Sequence, residues 1–437
     1  MTPIDLLIEA RWIIPVEPAD TTLEHHAVAI KDERIVAVLP IGEARTRFDA
    51  AETVPLPDHI LIPGLVNLHC HAAMTLMRGL ADDLPLMRWL QEAIWPTEAR
   101  HASHAFVRDG SLLAAAEMLQ GGITTCNDMY FFPEATAEAF DRLGLRATLG
   151  ITVLDFPCQY ATDADDFLRK GLAARDAWRD HPLIGFALAP HAPYTVSDKT
   201  FERVGALAAE LEIPIHIHLH ETAGEIADSL RDFGQRPITR LEALGLLGPN
   251  LIGVHAVHLA PEDIDRLALH QCAVAHCPTS NMKLASGTAP ITRLVHRGLS
   301  VGLGTDGAAS NNRLDLFREM RQASLLAKLD SGDASALPAH RALRMATLDG
   351  ARALGLDGQI GSLVAGKSAD ITAVRIDEPD AFPCYHPVSH LLHVLDRRCV
   401  SDVWVGGQQR LKRGKLLQIT NTELLGIARL WQNKLRQ

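Results

Sequence analysis

The chain has 437 residues, long for one compact domain but within the span of an α/β barrel with additions. Hydrophobic residues make up 47% and charged residues 22%, which suits a soluble globular protein with a sizeable core. A net charge of −11 argues against non-specific binding to nucleic acid or to an anionic membrane, since both reward lysine and arginine.

The first twenty residues carry Asp5, Glu9 and Arg11 inside their apolar stretch, so neither a secretory leader nor a membrane span is expected there. Seven cysteines, an odd number without a C-x-x-C pair, fit reduced thiols in a cytoplasm better than a disulfide framework. Residues 1–62 are expected to form short strands, with "DERI" turning between two Val/Ile-rich runs. From Leu61 the rhythm changes to short apolar runs alternating with helical stretches, two of which, "SHAFVRDGSLLAAAEMLQGG" and "DKTFERVGALAAELEI", are expected to be amphipathic. The strand candidates are "LVNLHC", "GITTCNDM", "RATLGITVL", "LIGFALAP", "IPIHIHLH", "LIGVHAVH", "CAVAHCP" and "SVGLGTD". Eight such units make a (β/α)8 TIM-type barrel, and runs this apolar suit a parallel sheet covered on both faces. After about residue 365 the strand texture returns. We therefore expect a barrel over residues 63–365 and a small β-sandwich domain built from residues 1–62 plus 366–437.

In a barrel enzyme the chemistry sits at the carboxyl ends of the strands. The first strand here ends in His69 and His71, two residues apart on one face with Cys70 opposite. Chance alone supplies about one H-x-H in a chain with 21 histidines, so the pair gains weight only from company. The fourth strand ends at His191, the fifth in His216, His218, His220 and Glu221, the sixth in His255 and His258, the eighth in Asp306. Three imidazoles and one carboxylate suit a borderline divalent ion, zinc first, with iron or manganese as alternatives. A water in the remaining position would be acidified towards a pKa of about 7, giving hydroxide at neutral pH. Alternation puts His216, His218 and His220 on one face, so spacing alone does not choose among them. Glu221 is placed to be a proton shuttle.

Two motif matches carry little. "HETAG" has Gly224 where a zincin's second histidine belongs. "GSLVAGKS" (361–368) fits the P-loop pattern, but "ADITAVRI" follows it as a strand where a P-loop needs a helix, so a glycine-rich turn is expected.

The segments "PGLVNLHCH", "HLHET", "GVHAVHL", "HCPTSNMKLASG" and "GLGTDGAASNN" together resemble the amidohydrolase superfamily. "MRGLADDLPLMRWLQEAIWPTE" is similar to its subgroup of 5-methylthioadenosine/S-adenosylhomocysteine deaminases and chlorohydrolase relatives. The resemblance implies His69, His71, His218 and Asp306 as ligands of one divalent metal ion, one because "GFALAPH" lacks the lysine that bridges two. It implies Glu221 as proton shuttle and His255 as the residue orienting the attacking hydroxide, with Asp306 taking part. It also implies Glu98 as acceptor of the ribose 2′- and 3′-hydroxyls and His191 as a substrate contact. The place of the arginine that holds the S-adenosylhomocysteine carboxylate falls at Phe167, with Arg169 two residues on. That departure favours a substrate with an apolar 5′-thioether. The implied reaction is hydrolytic deamination of an adenine nucleoside, 5′-methylthioadenosine before S-adenosylhomocysteine or adenosine, by a cytoplasmic homo-oligomer. Deamination or dechlorination of a guanine, pterin or triazine ring is the nearest alternative, and a scaffold without activity a remote one. Trp89, Trp95 and Trp178 are expected near the site, filling the core in preference to stacking on substrate.

Overall fold

A computed structural model describes residues 1–436. The chain opens with β1 (Thr2–Ile13), β2 (Leu23–Lys31), β3 (Arg34–Pro40) and β4 (Phe48–Pro63). The turn expected at "DERI" joins β2 to β3 as an antiparallel hairpin. Its central residues, Asp32 and Glu33, have φ of 49° and 68°, the left-handed pair that a two-residue hairpin loop requires.

Eight strands follow: β5 (Leu65–Cys70), β6 (Ile123–Tyr130), β7 (Arg146–Val153), β8 (Ile184–Pro190), β9 (Ile215–Leu219), β10 (Leu251–His255), β11 (Ala273–His276) and β12 (Ser300–Leu303). They pair in parallel in sequential order, as the eight apolar runs require of a (β/α)8 barrel. Between the first and last of them the barrel closes through side chains. Asn67 accepts from the Thr305 amide at 2.9 Å and donates to its hydroxyl at 2.8 Å, while the Thr305 and Asp306 amides donate to the His69 carbonyl. Val66 and Leu68 pack outward near Gly350 and Gly302, which turns Asn67 and His69 towards the barrel interior.

The chain then returns as β13 (Ile371–Arg375), β14 (Val400–Val405), β15 (Gln408–Lys412) and β16 (Lys415–Leu416). β13 runs antiparallel to β4, with Ile371 opposite Pro63, so both ends of the chain share one sheet. Ile8, Ile13, Ile30, Leu61, Ile371 and Trp404 fill its core, the β-sandwich beside the barrel. The "GSLVAGKS" stretch is the turn leading into β13, and its Lys367 bonds Glu17 at 2.9 Å.

Helix His104–Gln120 departs from the amphipathic expectation. It is buried on nearly every side, because helix Pro133–Leu143, segment Ala72–Met77 and strands β14–β16 pack around it and Trp431 of helix Asn421–Leu435 covers Phe106 and Asp109. The Trp431 indole donates to Asp109 Oδ2 at 2.8 Å, while the Arg108 guanidinium holds Oδ1. No helix among the described residues is long and apolar enough to cross a membrane.

Candidate active site

The carboxyl ends of β5, β9, β10 and β12 bring His69, His71, His218, His255 and Asp306 together. Ligand atoms of His69, His71 and Asp306 lie within 4.8 Å of one another, and so do those of His69, His218 and His255. His71 Nδ1 donates to the Met129 carbonyl at 2.6 Å, His218 Nδ1 to the His191 carbonyl at 2.7 Å, and His255 Nδ1 to Asn281 Oδ1 at 2.9 Å. Because carbonyl oxygens only accept, each of these rings carries its proton on Nδ1 and presents a bare Nε2. Two bare atoms, His71 Nε2 and His218 Nε2, face each other at 3.3 Å. His69 Nε2 is a buried orphan 3.3 Å from Asp306 Oδ1, and its Nδ1 is paired with His216 Nε2 at 3.0 Å. Lone pairs turned on one another with nothing between them repel, and a cation at their focus removes the conflict. The donor set fits a divalent metal ion.

Electrostatics agree with that use. Burial pushes His69 down to about 3 and lowers His71 and His218, so the rings are neutral donors. Burial works against ionisation of Asp306, but the adjacent His69 and His71 outweigh it and hold the carboxylate well below its usual range. Asp306 Oδ2 accepts from the Ser280 and Ser310 hydroxyls at 2.6 and 2.7 Å, leaving Oδ1 turned to His69 and His71.

Glu221 follows β9, and its carboxylate lies 3.8 Å from His255 Nε2. Burial raises its pKa, with His255 partly offsetting the rise, which suits a group that must both take and give a proton. Its backbone is pinned by Glu225, whose two carboxylate oxygens accept from the amides of His220 and Glu221 at 2.9 and 2.8 Å. His220, His255 and Asp306 all have φ between 55° and 70°, left-handed conformations that non-glycine residues hold only when their surroundings impose them.

These polar ends open into a cavity of about 480 Å³, within the range of small-molecule sites. Helix Trp95–His101 and the one-turn π segment before it, Leu90–Ile94, form one wall. Trp89, Trp95 and Glu98 line that wall, and His191 lies across the cavity with its ring 4.8 Å from that of His218. The Tyr130 hydroxyl donates to Glu98 Oε1 at 2.6 Å. Burial pushes Glu98 up to about 7 against that hydrogen bond. No lysine or arginine lines the cavity among the described residues.

Three expectations need correction. His220 leaves the face shared by His216 and His218, because its left-handed backbone ends the strand. It bonds the His258 carbonyl and the Ile238 amide instead. Trp178 lies away from the cavity, beside His181. Trp89 and Trp95 do more than fill core, since both line the cavity. Sequence reasoning passed over His216 as a partner of His69, and missed Asn281, Tyr130 and Glu225 altogether. Asn281 stands inside the quoted "HCPTSN", but nothing in the spacing says which ring it meets.

Known proteins match this architecture throughout. The amidohydrolase family profile matches residues 60–410. A 5-methylthioadenosine/S-adenosylhomocysteine deaminase of Teredinibacter turnerae is 46% identical over 99% of this chain and 98% of its own length. The zinc-bound crystal structure of an adenosine deaminase from Xanthomonas campestris is 48% identical, covers 100% of this chain and 99% of its own, and superposes with a TM-score of 0.98. A zinc complex of atrazine chlorohydrolase from Arthrobacter aurescens is 25% identical over 98% of this chain and 99% of its own, with a TM-score of 0.91.

Proposed function

The chain belongs to the amidohydrolase family, and from that premise we propose that it hydrolytically deaminates adenine nucleosides, 5′-methylthioadenosine before S-adenosylhomocysteine or adenosine. In this reading one divalent ion, zinc first, is held by His69, His71, His218 and Asp306. The observation that carries it is a single cavity with bare imidazoles and a carboxylate at one end and the buried Glu98 carboxyl in its wall.

A divalent ion held by His69, His71, His218 and Asp306 would lower the pKa of a bound water from about 15.7 towards about 7 and so supply the nucleophile. The rest falls to the chain. Glu221 hands a proton to ring N1 as C6 is attacked and is left ionised; it then takes up the proton that Asp306 accepts from the attacking oxygen and passes it to the amino group, which leaves as ammonia. His255, with Nδ1 fixed by Asn281, orients the attacking oxygen through Nε2, and Asp306 accepts its proton. His191 touches the purine. Glu98 accepts from the ribose 2′- and 3′-hydroxyls, work suited to a carboxylate with two oxygens.

The cavity also bears on the 5′ substituent. Phe167, where an arginine would meet a homocysteine carboxylate, is fully buried with its ring 6.1 Å from that of Phe131. Arg169 is held at the surface by Asp166 at 2.5 Å. A free carboxylate entering this cavity would be desolvated without a cationic partner, which favours the apolar methylthio group.

Hydrolysis of a free guanine, pterin or triazine ring is the competing reading, and Glu98 separates the two. Glu98→Ala is expected to raise KM for the nucleoside by about 10-fold or more, the worth of hydrogen bonds to a charged group, with little change for its 2′,3′-dideoxy analogue. Equal KM changes for both substrates would remove the ribose role.

A further inference from the structure

Glu98 does not stand alone in the cavity wall. It lies on a helix outside the barrel, whereas Tyr130 is the last residue of β6, at the barrel's carboxyl end. The 2.6 Å hydrogen bond between them ties wall to barrel. Tyr130 is itself fixed: it is 5% exposed, its carbonyl accepts from Thr152 at 3.1 Å, and its ring lies 5.3 Å from that of Phe131. A phenol has one proton to give, and here it goes to Oε1. Oε2 and the remaining lone pair of Oε1 stay free for a vicinal diol.

We propose that Tyr130 is a positioning residue for ribose recognition, its hydroxyl fixing the rotation of the Glu98 carboxylate so that both sugar hydroxyls are accepted at once. The inference rests on the reading of Glu98 as ribose acceptor. Without the phenol, the one side-chain partner of its carboxylate among the described residues, the carboxyl would turn freely about its last bond. It would also lose the one hydrogen bond that opposes its protonation, and a protonated carboxyl accepts less well.

The test compares 5′-methylthioadenosine with its 2′,3′-dideoxy analogue on the metal-loaded wild type, Tyr130→Phe and Glu98→Gln. Tyr130→Phe keeps the ring and its packing, so the dideoxy analogue reports any general damage to the site. The expected result is a rise of about 10-fold in KM for the ribonucleoside in Tyr130→Phe, with kcat changed far less and KM for the dideoxy analogue unmoved. An unchanged ratio of the two KM values in Tyr130→Phe, alongside a collapsed ratio in Glu98→Gln, overturns the inference and leaves the ribose reading standing. An equal rise for both substrates in Tyr130→Phe shows a packing role and overturns it too. A ratio unchanged in Glu98→Gln as well, or no discrimination between the two compounds by the wild type, removes the ribose reading and the inference with it.

Discussion

At the scale of single residues, the site is organised by where each imidazole keeps its proton. His71, His218 and His255 each commit Nδ1 to an oxygen, so Nε2 is left to meet an ion or a substrate. Removing one such oxygen lets the ring rotate or change tautomer. Asn281→Ala is therefore expected to retain metal but lose about 10- to 100-fold in kcat, measured with metal content beside turnover. Glu221→Gln is expected to keep the metal and lose about 10²–10⁴-fold in turnover, whereas His218→Ala loses both. A glutamine variant with near-normal kcat would remove the proton shuttle. Glu98 gives the pH dependence its sign. Its pKa is raised from 4.5 to about 7, so it is an acceptor-only carboxylate above that pH and becomes protonated below it. KM for a nucleoside should rise as the pH falls through about 7, and KM for a 2′,3′-dideoxy nucleoside should not. Histidines and acids at strand ends are legible because periodicity fixes which residue ends a strand. Partnerships such as Tyr130 with Glu98 are not, because 32 residues of chain separate groups that only the folded wall brings together.

Secondary-structure elements reach the site through close approaches that sequence patterns only hint at. The eight barrel strands were readable from continuous apolar runs, and the β2–β3 turn from its acidic pair. The departures came where tertiary cover changed the rule, as with helix His104–Gln120 under the carboxy-terminal helix, or where backbone strain broke alternation at His220. The seam between β5 and β12 shows what register alone does not reveal. A Cβ on Gly304 would lie 2.9 Å from the His69 amide nitrogen and 2.8 Å from its Cβ. Gly304→Ala is expected to displace His69 and lower metal affinity by at least about 10-fold, read by competition with a chromophoric chelator. Asn67→Ala removes one of the two acceptors of the buried Thr305 amide and the donor to its hydroxyl, and should cost about 1–3 kcal/mol in denaturant unfolding.

For the whole molecule, the buried imidazoles and carboxyls set opposing pH trends in the metal-free protein. His69, His191 and His276 are pushed by burial from 6.5 to about 3. Their contribution to stability is present above about 6.5 and is lost as the pH falls towards 3. Burial raises Glu225 and Glu319 from 4.5, and Asp128 from 3.8, to about 7. That contribution is present at low pH and is lost as the pH rises through about 7. The trends oppose each other between about 4.5 and 6.5, and below about 3.8 nothing offsets the imidazole loss. Urea midpoints of chelator-treated protein should therefore vary little across the first interval and fall steeply below it. A bound ion shifts the whole profile upward, by about 2.7 kcal/mol at 100 times its Kd.

The proposed reaction is a metal-dependent attack on an adenine ring carried by a ribose with an apolar 5′ group. It is tested most directly by ultraviolet assay of zinc-loaded protein with 5′-methylthioadenosine, S-adenosylhomocysteine, adenosine and guanine side by side. The highest kcat/KM is expected for 5′-methylthioadenosine, with weaker turnover of S-adenosylhomocysteine for want of a cation to meet its carboxylate, and none of guanine. Turnover of guanine with silence on every nucleoside would contradict it.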